Sequence, residues 1–411
     1  MDSRPLNSSV HILDDDSLLN ILHLYRPFLL GENEDEDVRL AGGSLVEGWA
    51  RGRWWYKLSH VCQRWRRIIL GSASYLDISL VCKIGTPVAD MLAHSPPLPL
   101  NIDYRTGNRD ISVEDEEGAI FALKQYNRAR RVRLNMPVTS LQKLIVSMDD
   151  EYPILEYLIF GHPFKDESSI SQIPETLQAP NLRHLYLAGF TLPMGSRLLT
   201  TAVGLVTLCL RMVNPSTYFH LNILLRWLSF MPQLETLAVY FQFPVPNRDL
   251  ERQLTHTPIT TPTTLPNLHH FLFEGVSTYL EALVHRITTP CLEKLRIWFY
   301  NQLTSSVTRL LQFVNATMDV SFKSFKFKFL TSDLICGCVL IRRPKCILFP
   351  SLSAAVTSTG RYLLRPEFSI HSAHCSLPWS ISLSNTRCIV NHLKSTMKPT
   401  ALSGADFSAR L

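Results

Sequence analysis

The chain has 411 residues, of which 46% are hydrophobic and 18% are charged, so it can bury a large core and is not disordered throughout. Its net charge of +6 arises at the C-terminal end, because residues 321–411 contain twelve Lys and Arg against three acidic residues. The rest of the chain is mildly acidic, which argues against a nucleic-acid-binding protein. Residues 1–16 lack the basic start and apolar core of a secretory signal, and no run of about 18 apolar residues could span a membrane.

The nine cysteines are scattered along the chain and odd in number. This pattern favours free thiols in a reducing compartment over a disulfide framework. We therefore expect a cytoplasmic or nuclear protein.

The first predicted element is a short helix near the N-terminus. An apolar pair, Ile12 and Leu13, precedes the acidic residues 14–16, which suit the positive end of a helix dipole. Apolar residues then recur at helical spacing: Leu18, Leu19, Ile21, Leu22 and Leu24.

A second helix and a strand are predicted over residues 54–80. One helical stripe, with steps of three and four residues, contains Trp55, Leu58, Val61, Cys62, Trp65, Ile68 and Ile69. Gly71 is expected to end this helix in the left-handed conformation. From Tyr75 to Leu80 apolar and polar residues alternate, which predicts a strand. The change of period marks a boundary between two architectures.

Residues 10–75 resemble the F-box, the helical module with which substrate receptors of cullin-type ubiquitin ligases hold their adaptor. The likeness rests on the apolar pair, the acidic turn, the L-L-x-I-L run and the later V-C-x-x-W-R. The family usually has Leu-Pro where this chain has Ile12-Leu13, and an acidic insert with several glycines, at about 27–53, replaces a short turn. Longer inserts of this kind, with a Trp-rich second half, make the chain most similar to F-box proteins of mushroom-forming fungi.

The resemblance implies a docking surface for the Skp-type adaptor of a cullin ubiquitin ligase. Residues at the matching positions would form it: Leu13, Leu18, Ile21, Leu22, Val61, Cys62 and Trp65. Catalysis would belong to the partner enzymes, and no cofactor is implied.

Six copies of the pattern φ-x-x-φ-x-φ, in which φ is apolar, follow the F-box-like segment. Their core positions are Leu155/Leu158/Phe160, Leu182/Leu185/Leu187, Leu205/Leu208/Leu210, Leu234/Leu237/Val239, Leu268/Phe271/Phe273 and Leu292/Leu295/Ile297. Five copies have a proline two residues before the first leucine, at the expected strand entry. The first leucines are 23 to 34 residues apart, close to the period of leucine-rich repeats.

The segments between these copies contain amphipathic stretches, at residues 221–230 and 279–287. Strands of this kind bury their leucines only by stacking, so we predict an α/β solenoid over residues 76–328, with parallel strands on one face and helices on the other. Fainter units are Ala129/Val132/Leu134 and Phe322/Phe325/Phe327, and residues 76–80 and 98–102 begin the stack. The chain thus resembles the leucine-rich-repeat half of F-box proteins. It is irregular, because the usual Asn or Cys after each strand is missing.

A doubly wound α/β enzyme fold also alternates helices with apolar strands. The chain lacks the glycine-rich phosphate loops and the Ser elbow that such enzymes usually carry. His60, His269 and His270 have no carboxylate or nucleophile at a recognisable spacing, so we predict structural roles for them and no catalytic site.

A metal site is not predicted either. The C-terminal Cys and His residues are Cys336, Cys338, Cys346, His371, His374 and Cys375. Their spacing matches poorly the two ligand pairs of a structural zinc site.

Two aromatic residues late in the repeats are candidates for contact with a protein partner. Trp298 and Tyr300 alternate with Ile297 and Phe299, so one of these pairs must point away from the helices. We take Trp298 and Tyr300 as the predicted contact pair. The periodicity then stops, and residues 329–411 are predicted to form a basic tail rich in Ser and Cys.

Together these features predict the substrate-recognition subunit of a Skp–cullin–F-box ubiquitin ligase, with the F-box on the adaptor and the repeats on an unknown protein substrate. The alternative is a leucine-rich-repeat scaffold without a ligase role, in which the F-box is vestigial after the loss of its proline and the gain of a long insert.

Overall fold

The computed structural model describes residues 13–25, 54–162, 171–193, 195–213, 221–241, 262–299, 308–317, 322–330, 335–342 and 368–370. The helices are α1 (Asp15–Leu24), α2 (Trp54–Ser59), α3 (Gln63–Gly71), α4 (Val88–His94), α5 (Val113–Leu123), α6 (Val138–Val146), α7 (Arg197–Thr201), α8 (Leu221–Ser229), α9 (Ser277–Val284) and α10 (Thr308–Thr317). The strands are β1 (Leu80–Lys83), β2 (Leu100–Arg105), β3 (Ala129–Asn135), β4 (Tyr157–Gly161), β5 (His184–Ala188), β6 (Thr207–Val213), β7 (Thr236–Phe241), β8 (His270–Gly275), β9 (Lys294–Phe299), β10 (Phe322–Leu330), β11 (Ile335–Arg342) and β12 (Phe368–Ile370).

Nine strands, β1 to β9, pair in chain order and form an all-parallel sheet. Most connections between neighbouring strands contain a helix, so the chain advances by one strand with each turn, as in a solenoid. Two pairs of two-residue parallel strands accompany the sheet: Ser171–Gln172 with Phe190–Thr191, and Thr263–Thr264 with Ile287–Thr288. The α/β class and the parallel strands agree with the sequence prediction.

The core lies between the sheet and the helices. The second positions of the six repeat copies stand in register across the strands, in the order Leu158, Leu185, Leu208, Leu237, Phe271 and Leu295. The third positions form a second row, and all eighteen predicted core positions are buried. Identical spacing in successive units therefore places like side chains side by side, which gives one continuous core.

The repeat prolines lie in turns before the strands. In each unit the N–H of the first leucine donates to the carbonyl three residues earlier, as from Leu182 to Ala179 and from Leu234 to Met231. Pro180 is thus the second residue of a four-residue turn, a position that its fixed φ favours. The sequence pattern predicts the prolines at the strand entry. In the structure they lie earlier, since β5 begins only at His184, four residues after Pro180.

Backbone hydrogen bonds join the units just before the strands. The carbonyl of Glu156 accepts from the N–H groups of both Arg183 and His184, and the carbonyl of Glu235 accepts from both His269 and His270. The same two-to-one pattern recurs along the stack, so each strand is held in register as soon as it begins.

Asparagine side chains add a further link between units at the turns. Asn181 Nδ2 donates to the carbonyl of Pro153 at 2.6 Å, and Asn267 Nδ2 donates to the carbonyl of Pro232 at 3.0 Å. These residues directly follow a repeat proline. They therefore supply, at the strand entry, the kind of backbone contact that the missing asparagines would have made after the strand.

The predicted long helix over residues 55–71 is two helices. Helix α2 ends at Ser59, and Cys62 then has extended backbone, with φ of −160°, as the N-cap of α3. Arg66 Nε donates to the carbonyl of Ser59 at 3.1 Å, which satisfies a carbonyl that the break leaves open. Gly71 is the last residue of α3 and is not left-handed, so that prediction was wrong as well.

The strand predicted at residues 75–80 begins only at Leu80. Residues 72–77 form turns, and Asp77 has a positive φ of 52°. Its carboxylate accepts hydrogen bonds from Arg130 and Arg131, whose contacts hold this uncommon backbone conformation. Leu76 and Ile78 are nevertheless buried, as their alternation predicted.

The last predicted repeat, at residues 322–327, is not a parallel unit. Strand β10 pairs antiparallel with both β11 and β12. The strand that pairs with β9 is β11, and it runs antiparallel to β9. Strand β10 also crosses the predicted boundary between solenoid and tail at residue 329. None of the helices in the described residues has the length and apolar character needed to cross a membrane.

Candidate functional site

The N-terminal module, here defined as residues 13–25 and 54–75 with the helices α1, α2 and α3, is one candidate interaction region. Asp14 is the N-cap of α1. Its carboxylate accepts a hydrogen bond from the Ser17 N–H at 2.6 Å, and this bond lowers the pKa of Asp14. Asp15 then pairs with Arg64 of α3 at 2.7 Å. Arg64 also donates to the carbonyl of Leu13, so the start of α1 is held against the start of α3.

The interior of the module contains two of the predicted docking residues. Leu18 and Leu22 are each only 1% exposed and lie in the same core cluster as Trp55, Ile68 and Ile69. In this structure these two side chains pack inside the module, and their predicted role in docking stays a prediction.

The surface of the module contains other predicted docking residues. Leu13 is 37% exposed, Ile21 45% and Val61 58%, and Cys62 is exposed beside Val61. Trp65 is half-buried and packs on the core. The structure thus divides the seven predicted residues into a buried pair, a half-buried tryptophan and four accessible side chains.

Exposed apolar side chains are concentrated on this module. Fourteen large hydrophobic side chains are exposed in the described part of the chain, and half of them lie in residues 13–25 and 54–75. These seven are Leu13, Ile21, Leu24, Tyr25, Tyr56, Val61 and Tyr75. Such a local excess is typical of a surface that a partner covers.

The second candidate region is the open face, here defined as the face of the parallel sheet opposite the helices. Its middle is a small apolar cluster of Cys209, Ala238 and Leu272, which are all buried. The rings of Tyr186, Tyr240 and Trp298 pack around this cluster and keep part of their surface accessible. The sequence alternation therefore placed Trp298 correctly, whereas Tyr300 lies outside the described residues.

An arginine joins the aromatic side chains of the open face. Arg211 donates from Nη1 to the Tyr186 hydroxyl at 3.0 Å, and its guanidinium lies 5.2 Å from the centre of the Tyr240 ring. Tyr240 and Trp298 follow with ring centres 6.2 Å apart. These contacts fix the ring positions, and side chains that are already ordered lose less entropy when they bind a ligand.

A second row of contacts runs along the start of the strands. The Arg131 guanidinium lies 5.0 Å from the centre of the Tyr157 ring, and Tyr157 stacks on His184 at 4.4 Å. His184 Nδ1 lies 3.1 Å from the Thr207 hydroxyl. Burial, with help from the charges of Arg183 and Arg131, lowers the pKa of His184 to about 4, so this imidazole is neutral at pH 7.

The first strands give the open face a charged end. Asp103 is buried and pairs with Arg105 at 3.1 Å, but desolvation still raises the pKa of its carboxyl group. Arg133, its neighbour on β3, is 9% exposed, and burial lowers its pKa to about 10. Arg133 is still charged at neutral pH.

The thiols and histidines have no arrangement that suggests catalysis in the described part of the chain. Burial raises the pKa of Cys82 and of Cys209 to about 12, so neither is a thiolate at pH 7. His269 Nδ1 lies 3.2 Å from the carbonyl of Cys291, and His60 packs on Tyr56 at 4.5 Å. No group of three His, Cys, Asp or Glu residues within the described ranges is placed to hold a metal ion. Among the C-terminal Cys and His residues whose spacing matched a zinc site poorly, Cys336 and Cys338 lie on β11. The others fall outside the described ranges.

Sequence reasoning missed the aromatic and arginine contacts of the open face. Tyr157, His184 and Tyr186 occupy x positions of the repeat pattern, and Tyr240 and Trp298 directly follow its last core position. The alternation alone could therefore have assigned these rings to this face. Which rings meet was not predictable, because partners such as Tyr157 and His184 belong to different units.

Comparison with known proteins gives no family assignment. No family model matches the chain, and no curated protein matches it significantly. The functional argument therefore rests on the N-terminal module and the open face.

Proposed function

We propose that this protein is the substrate-recognition subunit of a Skp–cullin–F-box ubiquitin ligase. The N-terminal module docks on the Skp-type adaptor, and the repeat solenoid binds a protein substrate. The observation that carries the proposal is the excess of exposed apolar side chains on the module, in a segment that resembles the F-box. The ubiquitin transfer itself belongs to the partner enzymes.

The energetics of the exposed side chains support docking. Full burial of one large apolar side chain contributes about 1.5 to 3 kcal/mol. Leu13, Ile21 and Val61 are between a third and two thirds exposed, so each has part of this energy left to gain. Three or four such side chains together can offset association costs of several kcal/mol.

The free cysteines suit the compartment in which such a ligase acts. Cys62, Cys82, Cys209 and Cys291 form no disulfide, and Cys62 and Cys291 are exposed. Exposed free thiols persist in a reducing environment, which supports the proposed cytoplasmic or nuclear location.

Co-purification with the cullin adaptor of the same organism tests the proposal. We expect the full-length chain to capture the adaptor stoichiometrically and Val61→Asp to lose that capture, because a carboxylate in an apolar interface is desolvated without a partner. Val203→Asp is the matched control, since Val203 is 55% exposed, lies outside a helix like Val61, and belongs to the repeat stack.

A second matched pair uses helical positions. Ile21 on α1 is 45% exposed and Phe121 on α5 is 43% exposed, so either side chain can become Asp without loss of core packing. Capture should be lost in Ile21→Asp and kept in Phe121→Asp. A well-folded wild-type chain that captures no adaptor would defeat the ligase proposal and leave the scaffold alternative.

A further inference from the structure

The open face has a cationic end around one buried arginine. In the described part of the chain neither Nε nor Nη1 of Arg133 has a hydrogen-bond acceptor, although both atoms are buried. Only 9% of the Arg133 surface is exposed, so the residue is 91% buried. A buried guanidinium whose N–H donors have no acceptor costs free energy of folding. Such donors normally bind a carboxylate or a phosphate.

The strand register places further charges beside Arg133. Lys83, Asp103 and Arg133 are direct neighbours on β1, β2 and β3, about 5 Å apart from strand to strand. Arg105 lies two residues beyond Asp103 on the same strand, and its side chain is 41% exposed. Asp103 accepts a hydrogen bond from Arg105 through Oδ2 at 3.2 Å, and its Oδ1, which lies 3.1 Å from Arg105 Nε, accepts no hydrogen bond from Arg133.

The cationic end continues toward the aromatic side chains. Tyr186 lies two strands beyond Arg133 in the same row, and Arg211 donates to its hydroxyl. The patch thus contains Lys83, Arg105, Arg133 and Arg211 against Asp103, and Glu274 lies beyond it, between Tyr240 and Trp298 in the strand register. It lies in a body whose average charge is slightly negative, so its charge is local and not a reflection of the whole chain.

We propose that this cationic patch binds carboxylate side chains of an acidic segment in the substrate protein. The inference rests on the proposed receptor function, since it names the chemistry of the substrate that the solenoid selects. Carboxylate oxygens are acceptors that buried guanidinium donors such as Nε and Nη1 of Arg133 normally meet, and a phosphoserine peptide distinguishes them from a phosphate. The rings of Tyr240 and Trp298 then lie farther along the same face to contact apolar residues of the segment.

Fluorescence anisotropy with a labelled peptide of eight glutamates tests the patch on the full-length protein. We expect this peptide to bind at low salt and its eight-glutamine counterpart not to bind. Arg133→Gln should weaken binding by about tenfold or more, the usual size of a lost charge-assisted hydrogen bond. Arg226→Gln should change it less than about twofold, because Arg226 is exposed on α8, in the helix layer.

A variant at an exposed residue of the patch, Lys83→Gln, keeps the proposal testable if Arg133→Gln fails to fold. Lys83 is exposed at the end of β1, so Lys83→Gln leaves the core intact and should weaken binding about threefold. Equal binding by the wild type and both patch variants would overturn the proposal, as would an equal loss in Arg226→Gln. Binding of a phosphoserine peptide at least about tenfold tighter than the glutamate peptide would overturn the assignment to carboxylates.

The assay also separates this inference from the ligase proposal. Adaptor capture is measured with module variants and peptide binding with patch variants. Loss of the first with retention of the second would defeat the ligase role and leave the patch assignment standing. The reverse result would defeat the patch alone.

Discussion

The repeat stack and the N-terminal module bury their apolar residues to different degrees. All eighteen core positions predicted for the stack are buried, whereas Leu13, Ile21, Val61 and Cys62 of the module are exposed. A stacked unit covers its leucines with the next unit, but three short helices cannot cover one another on every side. This difference is the basis of our proposal that a partner covers the module.

The largest effect is expected in the core of the stack. Leu237 on β7 is fully buried between Leu208 and Phe271, so Leu237→Ala should destabilise the protein by about 2 to 5 kcal/mol. In the module, Leu24 is 72% exposed, and Leu24→Ala should cost less than about 0.5 kcal/mol. Urea denaturation followed by circular dichroism measures both. Similar losses in the two variants would remove the contrast between the regions.

A pH-dependent effect of similar size is expected at His184. Its folded pKa of about 4 lies below the ordinary value of 6.5, so the unfolded chain binds a proton first as the pH falls. Stability should therefore be complete above pH 6.5 and decrease toward pH 4, by at most about 3 kcal/mol at 1.36 kcal/mol per pKa unit. In His184→Gln the urea denaturation midpoint should change less with pH over this range.

A second variant at the same position is the control for that prediction. His184→Phe should flatten the dependence of stability on pH as His184→Gln does, because neither side chain takes up a proton in the unfolded chain. An unchanged slope in His184→Gln would mean that the stacked imidazole does not limit stability in acid.

A smaller effect is expected at the turns that join the units. Asn181→Ala and Asn267→Ala each remove a hydrogen bond to a proline carbonyl of the preceding unit and should cost about 1 kcal/mol. Asn108 lies exposed in a turn, and Asn108→Ala should be close to neutral. Thermal denaturation of the three variants decides whether these side chains replace the absent asparagine ladder.

The smallest effect is expected at the surface of the module. Asp15→Asn removes the charge pair with Arg64, and because Asp15 is 52% exposed the loss should stay below about 1 kcal/mol. The loss should shrink in 1 M salt, which screens exposed charges. Asp16→Asn, at an exposed neighbouring position, should show neither the loss nor the salt dependence.

The sequence predicted the stack better than it predicted the module. Period and spacing are local, so the core rows through Leu158 and Phe160 and the helices near residues 221 and 279 could be recognised directly. The break between Ser59 and Cys62 could not, since one apolar stripe runs through both α2 and α3. The turn at Asp77 depends on arginines more than fifty residues away, and no local pattern announces it.

The candidate site shows the same division. The alternation of Ile297 and Trp298 predicted which of them faces away from the helices. It could not predict that Leu18 and Leu22 would be needed inside the module, because two helices separated by a long insert share that core. Nor could it predict the neighbours of Arg133, since strand register between units decides them.

Amide hydrogen exchange of the full-length protein, with and without the cullin adaptor, tests the central claim most directly. We expect the adaptor to slow exchange in residues 13–25 and 54–75 and to leave the strands β1 to β9 unchanged. Such a result would identify the module as the surface that a partner completes. Slower exchange in the repeat strands, with residues 13–25 unaffected, would contradict the account.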